Sequence, residues 1–196
     1  MYFELKENRP HGTPEHPLSL YHIKNVPHAF QIPVHWHDEL EIIYVKSGSV
    51  HVTISGEHYI GNPGDAFVVS PGSLHFMGSH TGDVDYYTFL FPLEFVSFQM
   101  NDLSEQMLMA PLKSGRMLFQ IQIGKSIEDL CEHLLVLYAG EGDVRNPIRT
   151  TVPKDSAKRI SFVAKQMETK MILLEFLQRM WKNGFIIEND ISGRNA

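Results

Sequence analysis

The stretch "PVHWHDELEIIYVKSGS" spans residues 33–49. It decides the fold because an apolar alternation follows directly on two histidines and a carboxylate. Side chains on a strand point to alternate faces. His35, His37 and Glu41 share odd parity, so an unbroken strand aims all three the same way. Ile43 and Val45 continue that face and are expected in the core. A polar cluster at the mouth of a β-structure, with apolar packing below it, is the expected result. Glu39 has the same parity, but the strand start or a bulge turns it out. Trp36 has the opposite parity and is expected outside, against helices.

The pattern persists on both sides. "GSVHVTI", "HYI", "AFVVS", "LHFMGS" and "DVDYYTFLF" are short runs rich in β-branched and aromatic residues, separated by "SGE", "GNPGD" and "PGS". Strands at turn spacings of roughly eight to twelve residues indicate a sandwich or barrel over residues 34–91. Residues 1–33 carry five prolines, which forbid a long helix and predict an extended arm with edge strands. The arm's histidines, His11, His16, His22 and His28, lack tight ligand spacing, and most of them are expected in solvent.

Past Pro92 the periodicity changes. Short helices are expected over 94–111 and 126–140, with a strand between them and Ser126 as N-cap of the second. The longest helix is expected after Asp155 or Ser156, ending at Gly184. Ile160, Met167, Leu174 and Trp181 recur on it every seven residues, and Val163 and Leu177 fill the second seam position. Lys170 interrupts that seam. This stripe predicts either packing on the chain's own barrel or pairing with a second subunit.

Bulk properties narrow the function. The 196 residues are 43% hydrophobic and 20% charged, which suits a packed domain with a helical appendage. The net charge of −6 argues against a nucleic-acid surface on this chain. The lone Cys131 excludes an intrachain disulfide, fits a reducing cytosol and is expected as a buried apolar residue. No apolar run approaches the roughly 20 residues of a membrane span, and no signal peptide opens the chain.

A transition metal needs three or four N/O ligands converging from at least two segments. His75, in "GDAFVVSPGSLHF", is the second contributor. Three imidazoles and one carboxylate suit Zn, Ni, Fe, Mn or Co, and the spacing does not choose among them. The same side chains also suit hydrogen bonding to a polyol.

These residues carry a family likeness. "HWHDELEIIYVKSG" reads H-x-H-x3-E-x6-G and resembles the first motif of the cupin superfamily. "GDAFVVSPGSLH" resembles the second, with Gly64, Gly72 and His75 in register and Pro71 one place late. Ala29 stands where that family has Gly. The longer run from "HGTPEHPLSLYHI" to "PGSLHFM", with its helical end, resembles the sensor half of AraC-type transcription regulators over roughly residues 10–182. The resemblance implies a mainly β fold: a cupin barrel (double-stranded β-helix, or jelly roll) with its arm over 1–95, then a helical dimerisation segment over 96–185. Residues 186–196 would begin a linker.

It further implies a cytoplasmic homodimer that binds a small effector, a sugar or related metabolite, among His35, His37, Glu41 and His75. The arm would be the switch element. A pair of helix-turn-helix units would bind DNA, and this chain, ending at Ala196, lacks them. It is read either as a piece cut at a domain boundary or as a natural stand-alone sensor. The other reading is a metal-dependent cupin enzyme of dioxygenase, isomerase or lyase type. Glu57, His58 and Asp65 are available for acid–base work, but they fall in expected turns or strand edges.

Overall fold

The computed structural model describes residues 3–24, 30–80, 83–139 and 152–189. His28, Ala29 and linker residues 190–196 lie outside the described residues.

Two antiparallel sheets face each other. Strands β1 (Ser19–Lys24), β2 (Phe30–His35), β3 (Leu40–Gly48), β4 (Val50–Ile54), β5 (Glu57–Gly61), β6 (Ala66–Val69), β7 (His75–Ser79) and β8 (Val84–Phe91) follow in chain order. With β10 (Gln122–Gly124) they form a five-stranded sheet, β1-β8-β3-β6-β10, and a four-stranded sheet, β2-β7-β4-β5. This is the cupin barrel that the two motifs imply. A third pair joins β9 (Met117–Phe119) to β11 (Ile186–Glu188).

The β3 alternation is strict, but both faces are buried. Ile43 and Val45 enter the barrel interior with Val50, Val52, Phe67 and Tyr86. Ile42 and Tyr44 face outward into a second core shared with the helices. Burying such a side chain fully is worth roughly 1.5–3 kcal/mol, so the outer core matters as much as the inner. Gly48 ends β3 with φ +76°, and a Cβ there would meet the Asp83 carbonyl oxygen at 2.0 Å. The last position of the first motif is therefore a backbone requirement.

Beyond the barrel, a π-helical turn at Glu105–Met109 runs into α1 (Ala110–Lys113), and α2 spans Glu128–Leu137. Ser126 does not cap α2. Its hydroxyl donates back to the Ile123 carbonyl, and the helix starts after Ile127 without a side-chain cap. Cys131 is buried, and burial pushes its thiol pKa up, as expected of an inert residue.

Helix α3 (Ser156–Lys182) has 27 residues without Pro or Gly. Asp155 caps it, accepting from the Lys158 amide at 3.0 Å. Gly184, at φ +70°, releases the chain into β11. Thr169, Ile172, Leu173, Phe176, Leu177 and Met180 form its buried face. Arg179 clamps it to α2 through both oxygens of Asp129, at 2.6 and 2.7 Å. Among the described residues, no helix is long and apolar enough to cross a membrane.

Candidate functional site

His35, His37 and His75 converge, with one ring nitrogen of each within 4.8 Å of the others. They do not come from one unbroken strand. β2 ends at His35 and β3 starts at Leu40, so His37 lies in the connection. The strand breaks because residues 5–7 capture the backbone of Trp36. Its amide donates to the Leu5 carbonyl at 3.0 Å, and its carbonyl accepts from the Glu7 amide at 2.9 Å. Trp36 is buried where the arm takes its backbone, with Lys6 4.9 Å from its ring.

His75 arrives by register: it is the cross-strand partner of His35, with ring centroids 4.2 Å apart. The second motif is tied to the first through Gly72, whose φ is +77° and whose amide donates to the His37 carbonyl at 2.8 Å. That link is what the glycine–histidine spacing encodes. Glu41, on β3, completes the cluster. Its Oε2 lies 3.2 Å from His37 Nε2 and 3.0 Å from His75 Nε2.

Each imidazole presents Nδ1 to a backbone carbonyl: His35 to Pro33 at 2.8 Å, His37 to Glu39 at 3.1 Å and His75 to Ser73 at 2.9 Å. A carbonyl only accepts, so all three Nδ1 atoms carry hydrogen, and Nε2 is left to face the cluster. His37 then lies between two acceptors, a carbonyl and a carboxylate, and must donate from both nitrogens. With no metal on Nε2, that geometry favours the imidazolium; a metal there would take the place of the Nε2 proton. Burial works against the charge, yet the Glu41 hydrogen bond and charge outweigh it and hold the His37 pKa above its ordinary value.

The same contacts hold the Glu41 carboxyl below the usual carboxylate range despite complete burial. His35 goes the other way, lowered by burial and by His75. His75 Nε2 is buried without a hydrogen bond of good geometry, although Glu41 is near. The donor set fits a divalent metal: three imidazoles with Nδ1 oriented by carbonyls, a buried nitrogen short of a donor, and a carboxylate beside them.

A cavity of about 240 Å³ adjoins the cluster, lined by His35, Glu41, Met77, Tyr86, Thr88 and Leu90, with Glu7, Arg9 and His11 of the arm over it. His11 and His16 are buried, not solvated as their spacing suggests. His11 Nδ1 bonds the Tyr21 hydroxyl at 2.9 Å, and its Nε2 lies 3.3 Å from Glu7. The hydrogen bond to His11 is the chief cause of the depressed Glu7 pKa. His16 reaches the Tyr138 hydroxyl at 3.1 Å, and that hydroxyl also bonds Thr169 of α3 at 2.8 Å. His22 pairs with Asp85 at 2.8 Å. The sequence reading missed Glu7, Arg9 and His11 as pocket residues. Their period-two spacing is the signal, and Pro10 and Gly12 obscure it.

The helical stripe is split. Ile160, Val163 and Met167 are 74%, 51% and 62% exposed, whereas Leu177 is buried in the chain's own core. Leu174 and Trp181 line an apolar groove of about 460 Å³, faced by Phe98, Leu103 and Met107.

A model of the AraC-like ligand binding domain family matches residues 16–148. No curated protein matches the chain. Among solved structures, a conserved protein of unknown function from Streptococcus pyogenes is 16% identical over 38% of this chain, with a TM-score of 0.33. A cupin superfamily protein from Desulfitobacterium hafniense DCB-2 is 11% identical over 38% of this chain, with a TM-score of 0.34. The matches span 62% and 65% of those two proteins' own lengths. KdgF from Halomonas sp. is 22% identical over 39% of this chain and 79% of its own, with a TM-score of 0.32. The family match takes in the whole histidine–carboxylate cluster and about two thirds of the sequence. The chain belongs to the AraC-like ligand binding domain family.

Proposed function

We propose that this chain is the small-molecule-sensing and dimerisation domain of an AraC-type transcription regulator working in the cytosol. The effector, a sugar or related metabolite, binds in the barrel among His35, His37, Glu41 and His75. One observation carries this reading: an ionic cluster, with His37, Glu41 and His75 no more than 3% exposed, sits beside an open cavity inside an otherwise apolar barrel. Buried charge is costly unless paired, and apolar side chains of similar volume serve stability at least as well. A cluster kept under those terms is kept for a guest.

The same four residues would either hydrogen-bond the effector's hydroxyls themselves or hold one divalent transition metal: Zn, Ni, Fe, Mn or Co. When bound, the metal would supply a Lewis-acidic anchor for effector oxygens. The protein's part is to fix the imidazoles by their Nδ1 bonds, to hold Glu41 ionised and to exclude water with the arm. An effector shifts the regulator only by binding one arrangement of the arm better than another. The arm reaches the pocket through Glu7 and His11 and reaches α3 through His16, so it can respond to one and report to the other.

The exposed half of the α3 stripe and the groove beside it support a homodimer in which Ile160, Val163, Met167, Leu174, Leu177 and Trp181 form or back the interface. DNA is bound by a domain outside this chain. Met167→Asp should convert the dimer to monomer in sedimentation equilibrium while leaving the monomer folded. A variant that still dimerises removes α3 from the interface.

A thermal-shift screen of sugars and related metabolites tests the sensing function. At least one should raise the Tm of the wild type and fail to do so with His35→Ala, the least buried member of the cluster. Ligands that act equally on both proteins bind elsewhere and defeat the reading. Turnover of a ligand would instead favour the metal-dependent enzyme.

A further inference from the structure

We propose that the barrel's guest is a hydroxy-carboxylate whose carboxylate pairs with Arg9. This rests on the sensing reading above and names the ligand class.

Two carboxylates line the cavity, and both are engaged by imidazoles. Glu41 lies between His37 and His75. Glu7 lies 3.3 Å from His11 and 3.7 Å from His35. Arg9 lines the same cavity, and no carboxylate pairs with it among the described residues. Its guanidinium instead sits 5.2 Å from the Tyr21 ring centroid. The Tyr21 hydroxyl bonds His11 Nδ1 at 2.9 Å, so one tyrosine contacts two of the three arm side chains over the cavity, Arg9 and His11.

A guanidinium offers a rigid planar fork of donors and no acceptor, and a carboxylate matches it with two parallel bonds. A carboxylate guest meets two of those donors at once, which a neutral hydroxyl cannot do. The remaining groups ask for something else. The imidazoles, Glu41 and the Thr88 hydroxyl are a mixed set of donors and acceptors, which suits hydroxyls. At about 240 Å³ the cavity is smaller than the roughly 300–1,000 Å³ of sites for drug-sized ligands, so the guest is compact. Carboxylate at the arm end and hydroxyls at the cluster end together define a small hydroxy acid or sugar acid.

The test uses matched probes at constant ionic strength: sodium D-gluconate against D-glucitol, sodium D-glucuronate against D-glucose, and sodium glycerate against glycerol. Calorimetric titration is run on wild type, Arg9→Gln and Arg9→Lys; Arg9 is exposed, so both variants should fold. At least one acid should bind wild type tenfold or more tighter than its neutral partner. Arg9→Gln should weaken that acid by roughly 10- to 100-fold, the range for a hydrogen bond to a charged group, and leave the neutral partner unchanged. Arg9→Lys should recover part of the loss.

Equal binding of acid and neutral partner, an Arg9→Gln variant as tight as wild type, or no binding by any acid overturns the proposal. A neutral probe that binds wild type at least as tightly as its acid partner, and is lost in His35→Ala, overturns the charge assignment alone and leaves the sensing function standing. Ligands of both kinds that ignore His35→Ala defeat the sensing function itself.

Discussion

The inside of the barrel and the outer face of α3 break the same rule in opposite directions. Charged groups are seldom fully buried, and large apolar patches are seldom left in water. Here Glu41 is 2% exposed and His75 1%, whereas Ile160 is 74% exposed and Met167 62%. Each departure marks a surface awaiting a different complement. The buried ionic cluster has too many acceptors for neutral imidazoles and wants a cation or a polar guest. In the homodimer proposed above, the exposed stripe meets another apolar surface. A domain selected for stability alone would exchange the two.

The contrast also runs along α3 itself, and that gives the largest predicted effect. Phe176 is 1% exposed and stacks near Phe119, at a centroid distance of 5.7 Å. Phe176→Ala should cost about 3–5 kcal/mol in denaturant unfolding, and Met167→Ala less than about 0.5 kcal/mol in the monomer. Comparable losses at both positions would erase the distinction between the inner and outer faces.

In the barrel, Glu41→Ala in chelator-treated protein should cost about 3 kcal/mol, because it strands the paired His37 charge in the interior. An unchanged unfolding midpoint would mean that the histidines do not depend on that carboxylate. The smallest effect concerns the link between the two regions. Tyr138→Phe removes the hydroxyl shared by His16 and Thr169, at 3.1 and 2.8 Å. It should cost about 1–2 kcal/mol. If the arm reports to α3 through this hydroxyl, amide hydrogen exchange of residues 11–16 should also speed up; unaltered exchange there would detach the arm from the helix.

Much of this was legible in the sequence, for local reasons. Alternation in "LEIIYVK" marks β3 because one residue in two must face the barrel interior. Asp155 and Gly184 mark the ends of α3 because a cap acts within one turn. The spacing from Gly72 to His75 is legible because the turn that donates to His37 has a fixed length. What was not legible depends on distant partners. Trp36 was expected against helices, but the arm takes its backbone, and nothing near residue 36 encodes residues 5–7. His16 was expected in solvent, yet it is buried against Tyr138, 122 positions away. Ser126 has the form of an N-cap, but its hydroxyl takes a closer acceptor. The cluster residues were found by parity on a strand that is in fact broken; they converge because cross-strand register brings His75 opposite His35.

In the function proposed above, the barrel's three imidazoles and carboxylate are held ready for a metal-anchored guest. Elemental analysis of protein purified without an affinity tag, before and after reconstitution with Zn, Ni, Fe, Mn and Co, tests it most directly. Wild type should hold one divalent ion per chain, and a His37→Ala, His75→Ala double variant that still folds should hold almost none. Wild-type protein without near-stoichiometric metal after reconstitution, or a double variant that retains it, would contradict the claim.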